Sequence, residues 1–229
     1  MADVLIVLAV FLPIILVLLL ARTFSVIKRI HNGRMGNLPY RNMVNSEVKT
    51  MIIAGSGGHT AEILSLVSGL AGRDTNRGKN RYSPREYIVA NTDTMSEDRI
   101  KTAEAKMGFN SQYFITKVPR SREVHQSWIT TVMTTLYASL YCFPIVIKSR
   151  PDLLLCNGPG TCIPLCFAAF LLKLTGMKDV SIIYVESICR VESLSLSARI
   201  LYYFADHILV QWPQLLKKFP GTEYIGRIV

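Results

Sequence analysis

Apolar runs of strand length alternate with longer helical patterns along most of this 229-residue chain. The runs lie at residues 48–54, 86–91, 112–118, 152–157, 181–187 and 207–212, with a weaker candidate at 223–229. Helical patterns occur near residues 60–70, 96–107, 123–149, 161–175 and 192–204. Strands that alternate with helices favour a parallel sheet covered on both faces. We therefore predict an α/β chain with a single Rossmann-like domain over residues 47–229.

Length and cysteine content limit the possible classes further. Half of the residues are hydrophobic, so the chain can bury one good core, but it is too short for two full-sized nucleotide-binding domains. The five cysteines are odd in number and include no CxxC pair with histidines at zinc spacing. We expect reduced cysteines in the core and no bound metal.

The amino terminus carries an apolar stretch that could cross a membrane. Residues 4–21 contain no charged residue and would form a helix about 27 Å long, close to the thickness of a hydrocarbon core. No basic residue precedes this stretch, which favours an uncleaved anchor over residues 1–22 rather than a signal peptide. Residues 23–46 are predicted to be a juxtamembrane linker. The basic residues that follow the apolar run place the bulk of the protein in the cytosol: Arg22, Lys28, Arg29 and Arg34.

The net charge of +10 raises the question of what the basic surface binds. Basic residues gather beside the anchor and in residues 73–85, and they do not alternate with aromatic residues along one element. This distribution favours anionic lipid headgroups over nucleic acid.

Residues 128–147 are uncharged and could form a second membrane span. Their bulky residues fall in pairs four apart, with threonine, serine and alanine opposite them, so the segment has two faces at helical spacing. A second span would also divide the sheet between the two sides of the bilayer. We favour a long helix that lies on the sheet and touches the membrane surface.

Glycine and polar residues follow most of the predicted strands. The carboxyl ends of parallel strands meet at one edge of a sheet, where ligands of such folds bind. The segments that meet there begin at Gly55, Thr92, Pro119, Asn157 and Glu186. From them we take these candidate ligand-binding residues: Gly55, Ser56, Gly57, Gly58, Thr60, Glu62, Arg120, Arg122, Asn157, Gly158, Gly160, Thr161 and Glu186.

The glycines at residues 55–58 favour a phosphate or a diphosphate as the ligand. Glycine lets the backbone turn sharply and present N–H groups to an anion, and the following helix adds its positive end. The segment is GxGG, and it matches neither the dinucleotide GxGxxG pattern nor the P-loop pattern. A plain strand-to-helix turn is the alternative.

His59 opens the helix and is the candidate catalytic residue, as a general base, although a phosphate contact or a helix cap are open alternatives. Glu62 could instead complete a capping box, and Arg120 with Arg122 could form a solvated turn. As the base, Glu62, Glu186 and Asp93 remain alternatives to His59.

Several segments together carry a family resemblance: GSGGHTAEIL, PRSREVHQSW, NGPGTC, VESICRVESLSLSARILYY, DHILVQW and the terminal YIGRIV. They resemble the membrane-anchored subunit of the eukaryotic UDP-N-acetylglucosamine transferase of asparagine-linked glycosylation, the family of the subunit numbered fourteen in that pathway. The GGH loop is also similar to that of the bacterial enzyme that makes lipid II.

The resemblance implies the amino-terminal, acceptor-binding half of a two-domain GT-B glycosyltransferase. A soluble partner would hold most of the UDP-GlcNAc, and the pair would add the second GlcNAc, in β1,4 linkage, to dolichyl-diphosphate-GlcNAc on the cytosolic face of the endoplasmic reticulum. The reaction would invert the configuration at the anomeric carbon of the transferred sugar and would need no metal or other cofactor. Within the family pattern His59 matches the proposed base, and Gly55, Gly57, Gly58 and Thr60 match the diphosphate loop. The tail that would bind the partner comprises Tyr224, Ile225, Gly226, Arg227, Ile228 and Val229.

Two other functions remain open at this point. The chain could be a membrane scaffold that only orients a partner carrying all the chemistry. It could also be an unrelated membrane protein of Rossmann type that binds a nucleotide by itself.

Overall fold

The computed structural model describes residues 2–35, 47–72, 81–107, 112–122, 126–158 and 160–227. Within these ranges six parallel strands form one sheet: β1 (Thr50–Ile53), β2 (Arg85–Ala90), β3 (Tyr113–Val118), β4 (Leu153–Asn157), β5 (Ser181–Val185) and β6 (His207–Leu209). The helices are α1 (Ala2–Met35), α2 (Gly58–Gly72), α3 (Thr94–Met107), α4 (Trp128–Ser149), α5 (Cys162–Thr175), α6 (Leu196–Leu201) and α7 (Gln214–Lys218). The predicted α/β fold with one parallel sheet is confirmed.

The strand order is β3-β2-β1-β4-β5-β6. The chain therefore builds outward from β1 to β3 and then returns to the other side of β1, where it adds β4 to β6. In open α/β sheets such a reversal leaves a crevice beyond the carboxyl ends of the two central strands. Ile53 at the end of β1 pairs with Cys156 of β4, so the segments that follow these strands lie side by side.

Helices cover both faces of the sheet, and each face has its own core. Consecutive strand residues point to opposite faces, as β1 shows. Its Met51 and Ile53 pack with the helices α1, α4, α5 and α6, whereas Ile52 packs with α2 and α3. The candidate strand at residues 223–229 is absent from the described part of that segment, where Glu223 makes only an isolated bridge to Leu209.

Helix α1 extends beyond the predicted anchor. Residues 11–21 are exposed, but the helix does not end at residue 22 and continues to Met35. Val26 and Ile30, one turn apart, are buried in the core of the domain. The predicted linker is therefore helical and docked over residues 23–35, and its remainder, residues 36–46, lies outside the described residues.

Arginine side chains fasten α1 to the domain. The Arg22 side chain donates to the Leu174 carbonyl oxygen at 3.1 Å. Near the other end, the Arg34 guanidinium donates to the carbonyl oxygens of Tyr202 and Asp206 at 2.8 and 3.1 Å, and also to that of Ala205. The anchor helix and the domain are thus joined by side-chain contacts as well as by the chain.

Helix α4 packs along α5 and connects β3 to β4, two strands of the same sheet. Ala138, Cys142 and Val146 are buried on its inner face. Because both neighbouring strands belong to one sheet, this packing favours a helix lying on the domain over a second span. Length and apolar composition alone would allow both Phe11–Arg34 and Ile129–Ser149 to cross a membrane. The outer face of α4 exposes eight large apolar residues among those whose side chains are described: Ile129, Val132, Met133, Leu136, Tyr137, Leu140, Tyr141 and Ile147.

Candidate active site

A histidine, an asparagine and a glutamate form a hydrogen-bonded chain beyond the ends of β1 and β4. His59 lies in the first turn of α2, Glu62 lies three residues later, and Asn157 ends β4. His59 Nδ1 is 2.9 Å from Asn157 Oδ1, and Asn157 Nδ2 donates to Glu62 Oε2 at 2.6 Å. The fold thus brings together three residues that the sequence placed on two separate loops.

The donors and acceptors in this series of hydrogen bonds fix the tautomer of the His59 ring. A carboxylate only accepts hydrogen bonds, so the amide nitrogen of Asn157 faces Glu62 and its amide oxygen faces His59. That oxygen needs a donor, so Nδ1 carries the ring hydrogen of the neutral imidazole. The lone pair is then on Nε2. A histidine held in this tautomer can accept a proton from a bound hydroxyl group.

The carboxylates that are alternative bases have their oxygens engaged elsewhere. Glu186 is fully buried, and its two oxygens accept from the backbone N–H groups of Ser187 and Ser195 at 3.0 and 2.8 Å. Asp93 accepts from the backbone and the hydroxyl of Ser96. The His59 side chain is 35% exposed, whereas Glu62 is buried behind Asn157. His59 is therefore the best placed of the candidate bases.

Gly158 is the residue that leaves room for the His59 ring. A Cβ at position 158 would lie 2.3–2.5 Å from atoms of that ring, and the backbone φ is +88°, a conformation that L side chains rarely adopt. Both constraints require glycine here. The glycine that follows Asn157 thus has a steric reason beyond forming a turn.

The glycine-rich turn at residues 55–58 is open on its outer side. Gly57 has φ +67°, and a Cβ at Gly57 or Gly58 would meet no atom within 4 Å. Ser56, Gly57 and Gly58 are exposed, and the amino end of α2 starts at Gly58. This arrangement leaves the backbone accessible to a ligand at the positive end of a helix.

Thr60 has a different environment from the one its predicted role suggests. Its side chain is fully buried, and its hydroxyl donates to the Gly55 carbonyl oxygen and lies 2.6 Å from Ser96 Oγ. Ser96 in turn donates to Asp93, which follows β2. The Thr60 hydroxyl therefore braces the turn against α3 and does not face a ligand.

A cleft of about 480 Å³ opens beside His59. Its lining includes polar side chains, among them His59, Ser121, Arg122, Glu186, Ser187, Arg190 and Ser195. Apolar side chains of α4, α5 and α6 also line it: Val132, Leu136, Ile163, Leu196 and Ile200. A cleft lined by both arginines and apolar side chains suits an amphiphilic molecule with an anionic head.

The predicted ligand-binding residues are distributed unevenly around this cleft. Of residues 55–60, all within the described chain, only His59 lines it. Gly158, Gly160 and Arg122 also line it, whereas Arg120 and Thr161 do not. The glycine turn is thus a neighbouring surface and not part of the cleft wall.

Several cleft residues were not predicted from the sequence. Arg190 and Ser187 come from the loop after β5, of which only the first residue, Glu186, had been singled out. Ser121 is 1% exposed, and its hydroxyl has no hydrogen-bond partner in the described part of the chain. The hydroxyls of Thr134 and Thr135 in α4 hold its carbonyl oxygen, at 2.7 and 3.2 Å. Its position between Arg120 and Arg122, two candidate ligand-binding residues, was the sequence signal that could have identified Ser121.

A buried tyrosine supports the floor of the site. The Tyr184 hydroxyl lies 2.9 Å from Ser195 Oγ and donates to the Gly158 carbonyl oxygen at 3.3 Å. Burial raises the pKa of Tyr184 well above its ordinary value, and the neighbouring Glu186 raises it further. The phenol therefore stays protonated and remains a donor at the loop that accommodates His59.

The predicted partner-binding tail is described as far as Arg227. Tyr224 and Ile225 are 38% and 64% exposed. Gly226 has φ +95°, and the Arg227 guanidinium stacks on the Trp212 ring, 4.6 Å from its centroid. Ile228 and Val229 lie outside the described residues.

A solved structure resembles the fold. MurG of Acinetobacter baumannii superposes with a TM-score of 0.53 at 17% sequence identity. The match covers 79% of this chain and 45% of MurG, so the chain spans about half the length of that protein. The likeness concerns the fold alone, and it agrees with the expected half of a GT-B glycosyltransferase.

Sequence comparisons identify the family. The family model described as "Oligosaccharide biosynthesis protein Alg14 like" matches residues 50–228. Proteins named UDP-N-acetylglucosamine transferase subunit ALG14 are 51% identical in Rattus norvegicus and 49% identical in Homo sapiens, and each match covers 78% of this chain and 82% of the relative. The subunit of the same name in Yarrowia lipolytica is 40% identical over 94% of this chain and 95% of its own length. A family match over most of the chain, with relatives aligned over most of their length, shows that this chain belongs to the Alg14 family of oligosaccharide biosynthesis proteins.

Proposed function

We propose that this chain is the membrane-anchored, acceptor-binding subunit of a heteromeric UDP-GlcNAc transferase. The complex adds the second GlcNAc, in β1,4 linkage, to dolichyl-diphosphate-GlcNAc. The single observation that carries the proposal is the chain of hydrogen bonds from His59 through Asn157 to Glu62, which holds a proton-accepting nitrogen beside an amphiphilic cleft.

The mixed lining of the cleft suits the two ends of this acceptor. Arg122 and Arg190 line the cleft, and their guanidinium groups would bind the diphosphate. The first isoprene units would lie against Leu136, Leu196 and Ile200, which continue into the exposed apolar face of α4. The hydroxyl of Ser121, which has no partner among the described residues, would be a further donor for the diphosphate or the sugar.

His59 would then serve as the base of an inverting transfer. The acceptor hydroxyl attacks the anomeric carbon of the donor GlcNAc from the face opposite UDP. A C–O bond forms to the acceptor, the C–O bond to UDP breaks, and the hydroxyl proton passes to His59 Nε2. Asn157 and Glu62 stabilise the protonated ring through Nδ1, since the hydrogen bonds there strengthen as the ring becomes charged.

The partner and the location follow from the same assignment. One sheet with one cleft provides half of a two-domain transferase, so UDP-GlcNAc would be held mainly by a soluble subunit recruited through residues 224–229. Alone, the chain would be inactive. The anchor at residues 1–22 and the basic residues after it support the proposed location of the domain on the cytosolic face of the endoplasmic reticulum membrane.

The test is the substitution His59→Ala in the chain co-expressed with its soluble subunit. GlcNAc transfer from UDP-GlcNAc to a polyprenyl-diphosphate-GlcNAc should fall by about 10²–10⁴, while co-purification of the soluble subunit stays unchanged. His31→Ala is the matched control, because His31 lies in α1 and bonds to its own helix at Ile27. Unchanged transfer in the His59 variant would remove this residue from the chemistry and favour the membrane scaffold.

A further inference from the structure

Trp212 contacts both the loop after β5, which lines the cleft, and the carboxyl-terminal tail. It follows β6, and its indole Nε1–H donates to the Ile188 carbonyl oxygen at 2.7 Å. Ile188 belongs to the loop that runs from β5 toward α6 and lines the cleft through Ser187 and Arg190. The indole therefore holds the loop at the peptide next to Ser187.

That loop is the support of Glu62. The Ser187 hydroxyl donates to Glu62 Oε1 at 2.9 Å, and the Ile188 N–H approaches the same oxygen at 3.4 Å. The other oxygen, Oε2, accepts from Asn157, which orients His59. A shift of the loop would pull on Glu62 and so alter the hydrogen bond that keeps Nε2 of His59 free.

One face of the indole ring meets the carboxyl-terminal tail. The guanidinium carbon of Arg227 lies 4.6 Å from the Trp212 ring centroid, a cation–π distance. We propose that Trp212 is a positioning residue that couples the tail to His59: the tail fixes the indole, the indole fixes the loop, and the loop fixes Glu62. This inference rests on the proposed roles of His59 as base and of the tail as the partner-docking segment.

The first test is Trp212→Phe in the assembled full-length complex, because phenylalanine keeps an aromatic ring for Arg227 but has no N–H for Ile188. We expect kcat to fall about tenfold, a part of the 10²–10⁴ that general base catalysis supplies. The KM values for both substrates and the affinity for the soluble subunit should stay within twofold. A variant with wild-type kcat overturns the proposal, as does one that loses activity only through KM.

Lys218→Met is the matched control. Lys218 also donates one side-chain hydrogen bond to the backbone of this loop, but to Glu192, away from the Glu62 contact. Its kcat should be unchanged. A loss equal to that of Trp212→Phe would show that any loosening of the loop lowers kcat and would overturn a specific role for the indole. If Trp212→Phe melts below the assay temperature, Trp212→Tyr replaces it under the same criteria.

A double substitution tests whether Trp212 acts through Glu62. Residues that act as one unit give effects that are far from additive. Adding Trp212→Phe to a Glu62→Gln chain should therefore lower kcat less than twofold further, and a full further tenfold loss overturns the pathway. Arg227→Gln, assayed at saturating soluble subunit, should likewise lower kcat in the wild-type chain but not in the Trp212→Phe chain. Additive losses overturn the link to the tail.

His59→Ala in the same assay distinguishes the proposed role of His59 as base from the proposed role of Trp212 as positioning residue. If His59→Ala leaves transfer intact, the proposed base is wrong, and the positioning role of Trp212 is overturned with it. If His59→Ala abolishes transfer while Trp212→Phe does not change kcat, the proposed function stands and the coupling through Trp212 is refuted.

Discussion

Gly158 has the most direct control over the position of His59, because any side chain there would overlap the imidazole ring. Gly158→Ala should reduce GlcNAc transfer by at least tenfold. It combines a steric clash with a left-handed backbone that costs on the order of 1–3 kcal/mol for a non-glycine residue. Transfer by the complex and the unfolding midpoint of the chain measure the two effects.

Gly69→Ala is the control for this prediction. Gly69 lies inside α2, and a Cβ there meets no atom within 4 Å. Alanine in a helix interior is favoured over glycine by roughly 0.5–1 kcal/mol, so this variant should be active and slightly more stable. An active Gly158→Ala chain would contradict the dependence of transfer on the His59 ring position.

Single residues could be predicted where they follow a strand, because the ends of parallel strands share one edge. His59, Asn157 and Glu186 were found in this way. The hydrogen bonds that pair His59 with Asn157 could not be predicted, since the sequence does not state that β4 returns to lie beside β1. Thr60 shows the reverse case: a residue of the predicted loop whose hydroxyl faces the interior because helix geometry directs it toward Ser96.

At the scale of elements, α4 combines a buried face with an exposed apolar face, and we predict that the exposed face touches the bilayer. A nitroxide label on Leu140→Cys, in the full chain reconstituted in anionic vesicles, should be more accessible to oxygen than to a water-soluble nickel chelate. Leu140 is 76% exposed, so the label needs no space in the core. Power-saturation EPR measures both accessibilities.

The control label is placed at Met95→Cys on α3, where the residue is 68% exposed on the other side of the sheet. It should show the opposite preference. Both variants carry Cys189→Ser, because Cys189 is the exposed native thiol among the described residues, contrary to the expectation that all the cysteines lie in the core. A water-exposed label at Leu140 would leave α4 without contact with lipid.

Strands and helices were predicted well where the hydrophobic pattern and the backbone hydrogen bonding of the element end near the same residue. The strands agree with their apolar runs to within a few residues. The end of α1 was missed because the loss of apolar character at Arg22 marks the end of the hydrophobic run and not the end of the helix. Between Arg22 and Arg34, where burial is described, Val26 and Ile30 are the buried residues, and two residues one turn apart are a weak signal.

For the whole molecule, the proposed function makes the sheet and its cleft half of a transferase, and the tail is where we expect the other half to attach. Removing residues 224–229 should abolish co-purification with the soluble subunit and leave the unfolding midpoint nearly unchanged. The fold should survive because Glu223 keeps its backbone hydrogen bonds to Ile208 and Val210, both at 2.8 Å. Met177→Ala, at an exposed residue far from the tail in sequence, is the control.

Retained association after that truncation would place the interface elsewhere. Length excluded only two full-sized nucleotide-binding domains in these 229 residues, and the family resemblance then implied a partner that supplies the other half. The sequence could not predict how the tail contacts the domain. The stacking of Arg227 on Trp212 joins residues that are close in the chain but lie on opposite sides of α7 in sequence.

The continuous, fastened α1 also has a geometric consequence. Met35 follows Arg22 by thirteen positions of helix, a rise of about 20 Å. Along this length Val26 and Ile30 are buried in the domain, and Arg22 and Arg34 bond to its backbone. A tilt of the anchor in the bilayer would therefore tilt the cleft by the same angle, so the orientation of His59 toward a membrane-bound acceptor would depend on the angle at which α1 crosses the membrane.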